Sequence, residues 1–343
     1  MTSQQDGPQQ PAGIRDVARR AGVSVASVSF ALNGQPGVAE ETRQRILAVA
    51  AELGYQANPQ AQALRRGRTT TYGLIIRNFS NPFFLEVLTG AEQTARAAGA
   101  TLLLLDSYYS GERERTLVRE MAAQRLAGLA IAPVGKGESV RLWQELRPGT
   151  PVVALNASVE GISGVSRVYP DNAAGVEQAM RRLAELGHVS AAFLSAPRGL
   201  AADPDRLRYF RRYARELGMR PEVIRSPLAI TDVGKAARSL LARRDAPTAI
   251  ITNSDYTALG IYRTARDLGC RVGPDVSVIG HDDLPTSELL DPPLATIRLD
   301  GREMGRAVMA RLLGQHPAQD YVAPVELVQR ASLQAPPAPV SRR

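Results

Sequence analysis

Cysteine is nearly absent from this chain of 343 residues: Cys270 stands alone and cannot close an internal disulfide. Lysine is almost as scarce, with Lys136 and Lys235 the only two among 42 basic residues. The formal charge of +8 is therefore carried by arginine; it suits a nucleic-acid partner, but an arginine bias beside abundant Ala, Gly and Pro is weak support on its own. No apolar run approaches the ~18 residues that span a membrane, and no basic start followed by an apolar stretch marks secretion. A cytoplasmic protein without a membrane partner is expected. His188, His281 and His316 are the only histidines and lie far apart, and no H-E-x-x-H, Cys/His spacing, G-x-S-x-G or G-x-x-x-x-G-K occurs. The adjacent carboxyls Asp282 and Asp283 project differently and do not straddle a substrate as an acid/base pair must. The sequence thus implies neither an enzyme nor a metal or cofactor, and His188 reads as part of a helix end.

What is present is 44% apolar residues, ample for one or two cores. The stretch 14–34, IRDVARRAGVSVASVSFALNG, carries the sharpest pattern. Ile14, Val17, Ala18 and Ala21 share one helical face, and Gly22 supplies a left-handed joint. Ser24 can cap a second helix that buries Val28 and Leu32. Its other face carries Val25, Ala26, Ser29, Phe30 and Asn33. Phe30 lies about 200° around from Val28, so it points outward, either onto another part of the small domain or toward thymine methyls in a DNA major groove. A third helix follows, with Ala39 at its cap, Glu40 and Glu41 in its first turn, Ile46, Leu47, Ala50 and Leu53 as its inner face, and Gly54 at its end.

From Asp16 to Asn33 this segment resembles the DNA-binding head of the lactose-repressor (LacI/GalR) family, with its D-V-A-x-x-A-G-V-S-x-x-T-V-S-x-x-L-N signature and Ser27 for the usual Thr. Gly13 replaces a frequent capping Thr, and Phe30 stands where an Arg commonly reads a base. The resemblance implies contacts to double-stranded, palindromic operator DNA from Ser24, Val25, Ala26, Ser27, Ser29, Phe30 and Asn33. It continues through YQANPQAQALRRGRTTT, which is similar to the family's N-P-x-A-x-x-L-R-x-G-R-T hinge. By that likeness Asn58, Ala61, Leu64 and Arg65 meet DNA, Leu64 wedging between base pairs in the minor groove. A plain interdomain linker is the other reading, and Arg65, Arg66 and Arg68 would meet phosphates if the hinge docks.

From Tyr72 the pattern alternates short apolar strands with helical segments: YGLII, ATLLLLD and AGLAIAP in a first cycle, then ALNASV, SAAFLS, TAIITN and VSVIGHDD in a second. Alternation of this kind predicts parallel sheets with helices on both faces and a ligand cleft beyond the carboxyl ends of the strands. The expected fold class is α/β: an all-α helix-turn-helix head joined to a two-lobed core resembling the type I periplasmic sugar-binding fold. The expected division is a disordered leader at 1–12, head at 13–56, hinge at 57–71, core at 72–335 and tail at 336–343. The first lobe takes 72–169 and 300–320, the second 170–299 and 321–335.

The family likeness further implies an effector site at Phe83, Phe84, Asn156, Arg208, Ser254 and Asp282. The aromatic pair would hold a ring face, and the Arg and Asp suit vicinal hydroxyls through charge-assisted hydrogen bonds. Against this, Asp282 can simply brace a turn and Phe83 can be ordinary core. Leu299 stands where the lactose repressor has Gln, and His281 where an aromatic is common. Together these features predict a homodimeric, DNA-binding repressor controlled by a small molecule, a carbohydrate by analogy. The alternatives are a solute-binding protein or an α/β enzyme using the same cleft. The Pro-rich end, without heptads, gives no sign of an added tetramerisation helix.

Overall fold

The computed structural model describes residues 12–32, 34–55, 69–157, 159, 161–197, 204–316 and 319–338, and the chain divides into two units, up to Thr69 and from Thr70 onward. The leader before residue 12, Asn33, and the hinge residues Asn58, Ala61, Leu64 and Arg65 lie outside the described residues.

The first unit holds three helices, α1 (Ile14–Ala21), α2 (Val25–Leu32) and α3 (Glu40–Glu52). Gly13 has no side chain to cap α1, and Asp16 compensates by accepting the Gly13 N–H at 2.9 Å. Gly22 takes φ +66°, the left-handed turn the joint requires, and Ser24 Oγ accepts the Ser27 N–H at 3.1 Å to start α2. Val17, Ala18, Ala21, Val28, Ala31, Ile46 and Ala50 form the core, with Ile14, Leu32, Val49 and Leu53 packed around it. Leu47 departs from the expectation: it is 40% exposed. The inner stripe of α3 runs Ile46, Val49, Ala50, Leu53, and Leu47 falls about 100° off it. Arg43 fastens the turn after α2 to α3 by donating to the carbonyls of Ala31 (3.1 Å) and Gln35 (2.7 Å).

In the second unit the chain builds β1 (Thr71–Ile76), α4 (Phe83–Ala97), β2 (Thr101–Asp106), α5 (Gly111–Ala123), β3 (Gly128–Ile131), α6 (Glu138–Leu146), β4 (Val152–Leu155) and β5 (Ser166–Pro170). It then crosses to a second lobe of α7 (Asn172–Glu185), β6 (Ser190–Ser195), α8 (Pro204–Glu216), β7 (Arg220–Arg225), α9 (Ile230–Leu241), β8 (Ala249–Ile251), α10 (Asp255–Asp267), β9 (Ser277–Asp282) and β10 (Ala295–Arg298). A return supplies α11 (Gly301–Leu312) and β11 (Tyr321–Ala323) to the first lobe, and β12 (Glu326–Val328) closes the second. Each lobe carries a six-stranded sheet, ordered β11-β5-β4-β3-β1-β2 and β12-β10-β9-β8-β6-β7. Every pairing is parallel except β10 with β12.

Two expectations change. The strand in ALNASV, read as opening the second cycle, is β4 of the first sheet, pairing with β3 and β5. Tyr321 pairs with Val168 of β5, and Arg167 of β5 is salt-bridged to Asp320, so the last crossing falls after β11, at 323–326, rather than at 321.

The first lobe's buried layer includes Leu74, Phe83, Phe84, Val87, Met304 and Val308. There α4 and α11 meet backbone to backbone through Gly90 and Gly305. In the second lobe Phe193 and Phe210 lie 5.5 Å apart between β6 and α8. His188 follows α7 as the sequence suggests and does structural work: its ring nitrogens lie 2.7 Å from Thr248 Oγ1 and 2.8 Å from the Gln334 carbonyl. Burial lowers its pKa, so the ring is neutral, Nε2 donating to the carbonyl and Nδ1 accepting from the hydroxyl.

Candidate functional site

Two surfaces qualify. On the head, α2 contains no charged side chain and turns Val25 (40% exposed), Ala26 and Phe30 (41% exposed) outward, with Ser24 exposed at its start and Ser27 and Ser29 half-buried. The Ser24 and Ser27 hydroxyls are 2.9 Å apart. Phe30 satisfies part of both readings: its ring lies so close to Gly37 that a Cβ there would stand 3.6 Å from Cδ2, yet its other side stays open. A small, neutral, partly apolar helix face suits a base-edge reader.

The second surface is a cavity of about 580 Å³ where the chain passes between lobes, lined among others by Phe83, Asp282, Leu284, Arg298, Leu299 and Pro324. Phe83 opens α4 and sets its ring 5.4 Å from Phe84, edge to face. Of the pair, Phe83 alone lines the cavity; Phe84 is lobe core, because successive helix residues point about 100° apart. Leu284, from the loop after β9, joins the same apolar cluster as Phe83 and Leu299, so it packs against the first lobe from the second.

Asp282 ends β9 with φ +118°, and Asp283 follows at φ +57°, a turn that L side chains adopt only where surrounding structure holds them. Its carboxyl is buried, with Oδ1 3.1 Å from His281 Nδ1 and Oδ2 without any hydrogen-bond partner. Burial above all, and then Asp255, push the Asp282 pKa well above the usual carboxyl range; the Arg206 guanidinium and the neighbouring Asn81 side chain pull the other way. Burial and Arg206 hold the His281 imidazole well below its ordinary range, so it stays neutral. The arginine beside this group is Arg206, not Arg208. Arg206 is buried and donates to the Asn253 carbonyl at 2.9 Å. Arg208, two positions and about 200° further round α8, is 59% exposed, paired with Asp205 at 3.2 Å and stacked over Tyr209. The alternating D-R-L-R of this helix start gave no basis for choosing between them.

Two further expected positions make hydrogen bonds within the lobes. Ser254 caps α10 in a reciprocal arrangement with Thr257, its hydroxyl accepting the Thr257 N–H at 3.2 Å. Asn156 follows β4 at φ +49°, its N–H donating to the Val168 carbonyl at 2.7 Å and its carbonyl accepting from buried Arg77. Asp255 was not anticipated. Its buried carboxylate accepts from Leu284 N (2.8 Å), Ser287 Oγ (2.6 Å) and Thr296 Oγ1 (2.6 Å), bracing the loop that carries Asp282 and Leu284. No group of three His, Cys, Asp or Glu among the described residues has the arrangement of a metal site, and no helix among them is long and apolar enough to cross a membrane.

Residues 13–58 match the family described as bacterial regulatory proteins of the lacI family, and residues 180–333 match a periplasmic binding protein-like domain. The HTH-type transcriptional regulator MalR of Streptomyces coelicolor is 32% identical over 339 residues, covering 94% of this chain and 97% of that one. The chain belongs to the lacI family. This lacI-family member is also 30% identical over 331 residues to the HTH-type transcriptional repressor PurR of Photobacterium profundum, covering 94% and 98%. Its fold matches the lac repressor dimer bound to operator and an anti-inducer, with a TM-score of 0.84, 27% identity, and 95% and 100% coverage. The lacI-family chain is thus a DNA-binding transcriptional regulator and not an enzyme, with a helix-turn-helix head and a periplasmic-binding-protein-like core.

Proposed function

We propose that this regulator is a cytoplasmic repressor that binds, as a homodimer at the nucleoid, an inverted-repeat operator through α2 and the segment from Asn58 to Arg65. A small hydroxyl-bearing effector between the lobes changes that affinity. The observation that carries the effector reading is the Asp282 carboxyl oxygen, buried at the cavity without a partner, since a buried polar atom left unsatisfied favours a ligand that hydrogen-bonds to it. Phe83 offers an apolar face and Arg206 a positive neighbour. Arg206 takes the role that the sequence suggested for Arg208.

Two outcomes test this. Phe30→Ala should change preference at one or two base pairs per half-site by about 1–3 kcal/mol, read by selection from random duplexes with the full chain. Loss of head folding with unchanged preference would mean that Phe30 serves only the packing against Gly37. In a titration of operator-bound protein with the metabolite that alters DNA binding, Asp282→Ala and Arg206→Ala should need at least roughly tenfold more effector, while Arg208→Ala stays near wild type. Equal midpoints in all four proteins, with intact thermal melts, would move the effector away from this cleft. A ligand can act here only by binding the lobe arrangements that do and do not fit DNA with different affinities.

A further inference from the structure

The two lobes also touch at the edge of the cleft farthest from where the chain crosses between them. The crossings leave or enter β5, β10, β11 and β12, which lie at one end of the two sheets. The opposite ends are β2 and β7, and the loops after these strands carry Tyr109 and Leu228. Tyr109, from the first lobe, packs against Leu228 and against Ala196, the residue after β6. Leu228 and Ala196 are buried, yet they belong to neither of the second lobe's larger apolar clusters, and the further apolar member of their own cluster among the described residues is Tyr109. A first-lobe side chain thus covers an apolar pair that the second lobe leaves outside its cores.

The turn that presents Tyr109 is strained and well fastened. Tyr108 and Tyr109 take φ +50° and +56°, left-handed values that cost non-glycine residues free energy and persist only where the surroundings hold them. Asp106 accepts the N–H groups of Phe79 at 2.8 Å and Tyr108 at 2.7 Å, and the Tyr109 N–H donates to the Arg77 carbonyl at 3.0 Å. The facing side is fastened too: Arg225 donates to the Ala196 carbonyl at 3.0 Å, and the Ser226 N–H to the Ser195 carbonyl at 3.2 Å. The two tyrosines of the turn differ, since Tyr108 is exposed beside the Arg113 guanidinium while Tyr109 reaches across the cleft.

We propose that Tyr109 is a latch: it holds the lobes together at the open side of the cleft before any ligand arrives, and so sets how often they part. Neighbouring strands lie about 4.8 Å apart, which puts the latch roughly 20 Å from the crossings, so that a lobe rotation of about 10° moves this edge by roughly 3 Å, enough to break apolar contact. Leu284, packed with Phe83 and Leu299 near the crossings, shifts far less in the same motion. Losing the contact at the end of the longer arm lowers the closed population, and with it the apparent affinity for anything that binds the closed lobes.

The test needs no ligand and so stands apart from the effector reading. In the full-length chain carrying Cys270→Ser, spin labels are placed at Glu112→Cys on α5 and Thr231→Cys on α9, both exposed positions. Labelled chains are diluted in an excess of unlabelled chain, so that pulsed electron spin resonance reads distances within one chain. This parent should give one dominant distance. Tyr109→Ala should raise the ratio of longer to shorter distances at least roughly tenfold, because burying a large apolar side chain is worth at least that factor in an equilibrium. Leu228→Ala should do the same, and the double variant should go little further than either single, since both remove one contact. Tyr108→Ala, in the same turn but exposed, should leave the distances as in the parent. If Tyr109→Ala does not fold, Leu228→Ala decides alone. A parent that is already mostly open, unchanged distances in Tyr109→Ala or Leu228→Ala, or equal opening by Tyr108→Ala overturns the latch.

Discussion

Replacing Gly305 or Gly90 with alanine is expected to cost the core about 3 kcal/mol or more apiece, the upper range for overpacking a filled interior. A Cβ at Gly305 would sit 2.0 Å from the Val87 carbonyl oxygen and 2.7 Å from the Ala91 nitrogen; one at Gly90 would sit 1.9 Å from the Arg302 carbonyl oxygen. These are backbone atoms, which cannot rotate aside as a flexible side chain would. The helices α4 and α11 must therefore part along their length, loosening Val87, Ala91, Met304 and Val308 together. For a unit of this size the melting temperature should fall by roughly 6–12 °C. Gly111→Ala is the control, because its Cβ meets only the Arg115 guanidinium at 3.5 Å and alanine favours helix. Melting of Gly305→Ala and Gly111→Ala at the same temperature would show that the helices do not touch there.

Asp255 should produce the second large effect, and one that depends on pH. Asp255→Ala strands one backbone N–H and two hydroxyls in a buried site, a loss of about 4 kcal/mol when each costs 1–3 and the hydroxyls partly re-pair. Asp255→Asn keeps an acceptor and removes the titration. Burial pushes the wild-type carboxyl up to about 6, with the Ser287 and Thr296 hydroxyls and the Leu284 N–H opposing. The ordinary value, about 3.9, applies once the chain unfolds. The folded protein therefore keeps a proton that the unfolded chain releases between those values. The carboxyl's contribution is most favourable below about pH 4 and is lost as pH rises toward about 6, by up to about 3 kcal/mol. In urea unfolding at pH 4 and pH 7, the stability of Asp255→Asn relative to wild type should rise by about that amount at the higher pH. A difference that stays flat would mean an unshifted carboxyl.

The elements most legible in the sequence are those whose signal is local. The joint at Gly22, the Ser24 cap and the faces of α1 and α2 follow from spacing over four or five residues, and the structure repeats them. The strands β1, β3, β6 and β9 are buried throughout, or nearly so, and read as unbroken apolar runs. Strand β7, RPEVIR, gives no such run because it lies at a sheet edge and buries only Ile224 fully, its two ends meeting water, and β5, SRVYP, alternates buried and half-buried positions beside short β11. Sites are harder because they depend on which way a helix is turned. Nothing within D-R-L-R distinguishes Arg206 from Arg208; only packing of Leu207 and Phe210 against the second lobe's core fixes the rotation. Asp255 was invisible for a different reason, since its three partners come from a loop and strand 29 to 41 residues further along.

The return of the chain after β10 also sets a timetable for synthesis. Strand β5 ends at Pro170, but α11, which covers α4, and β11, which borders β5, are not made until residues 301–323. At about 5–20 residues per second, the roughly 150 residues in between take the ribosome roughly 10–30 s. Throughout that interval the glycine face of α4 has no helix against it and β5 is an open sheet edge, the kind of surface that recruits chaperones or other nascent chains. The lobe begun first is thus completed only after nearly all of the second lobe has been made, and a ribosome that stalls before Gly301 holds a chain whose first lobe cannot close.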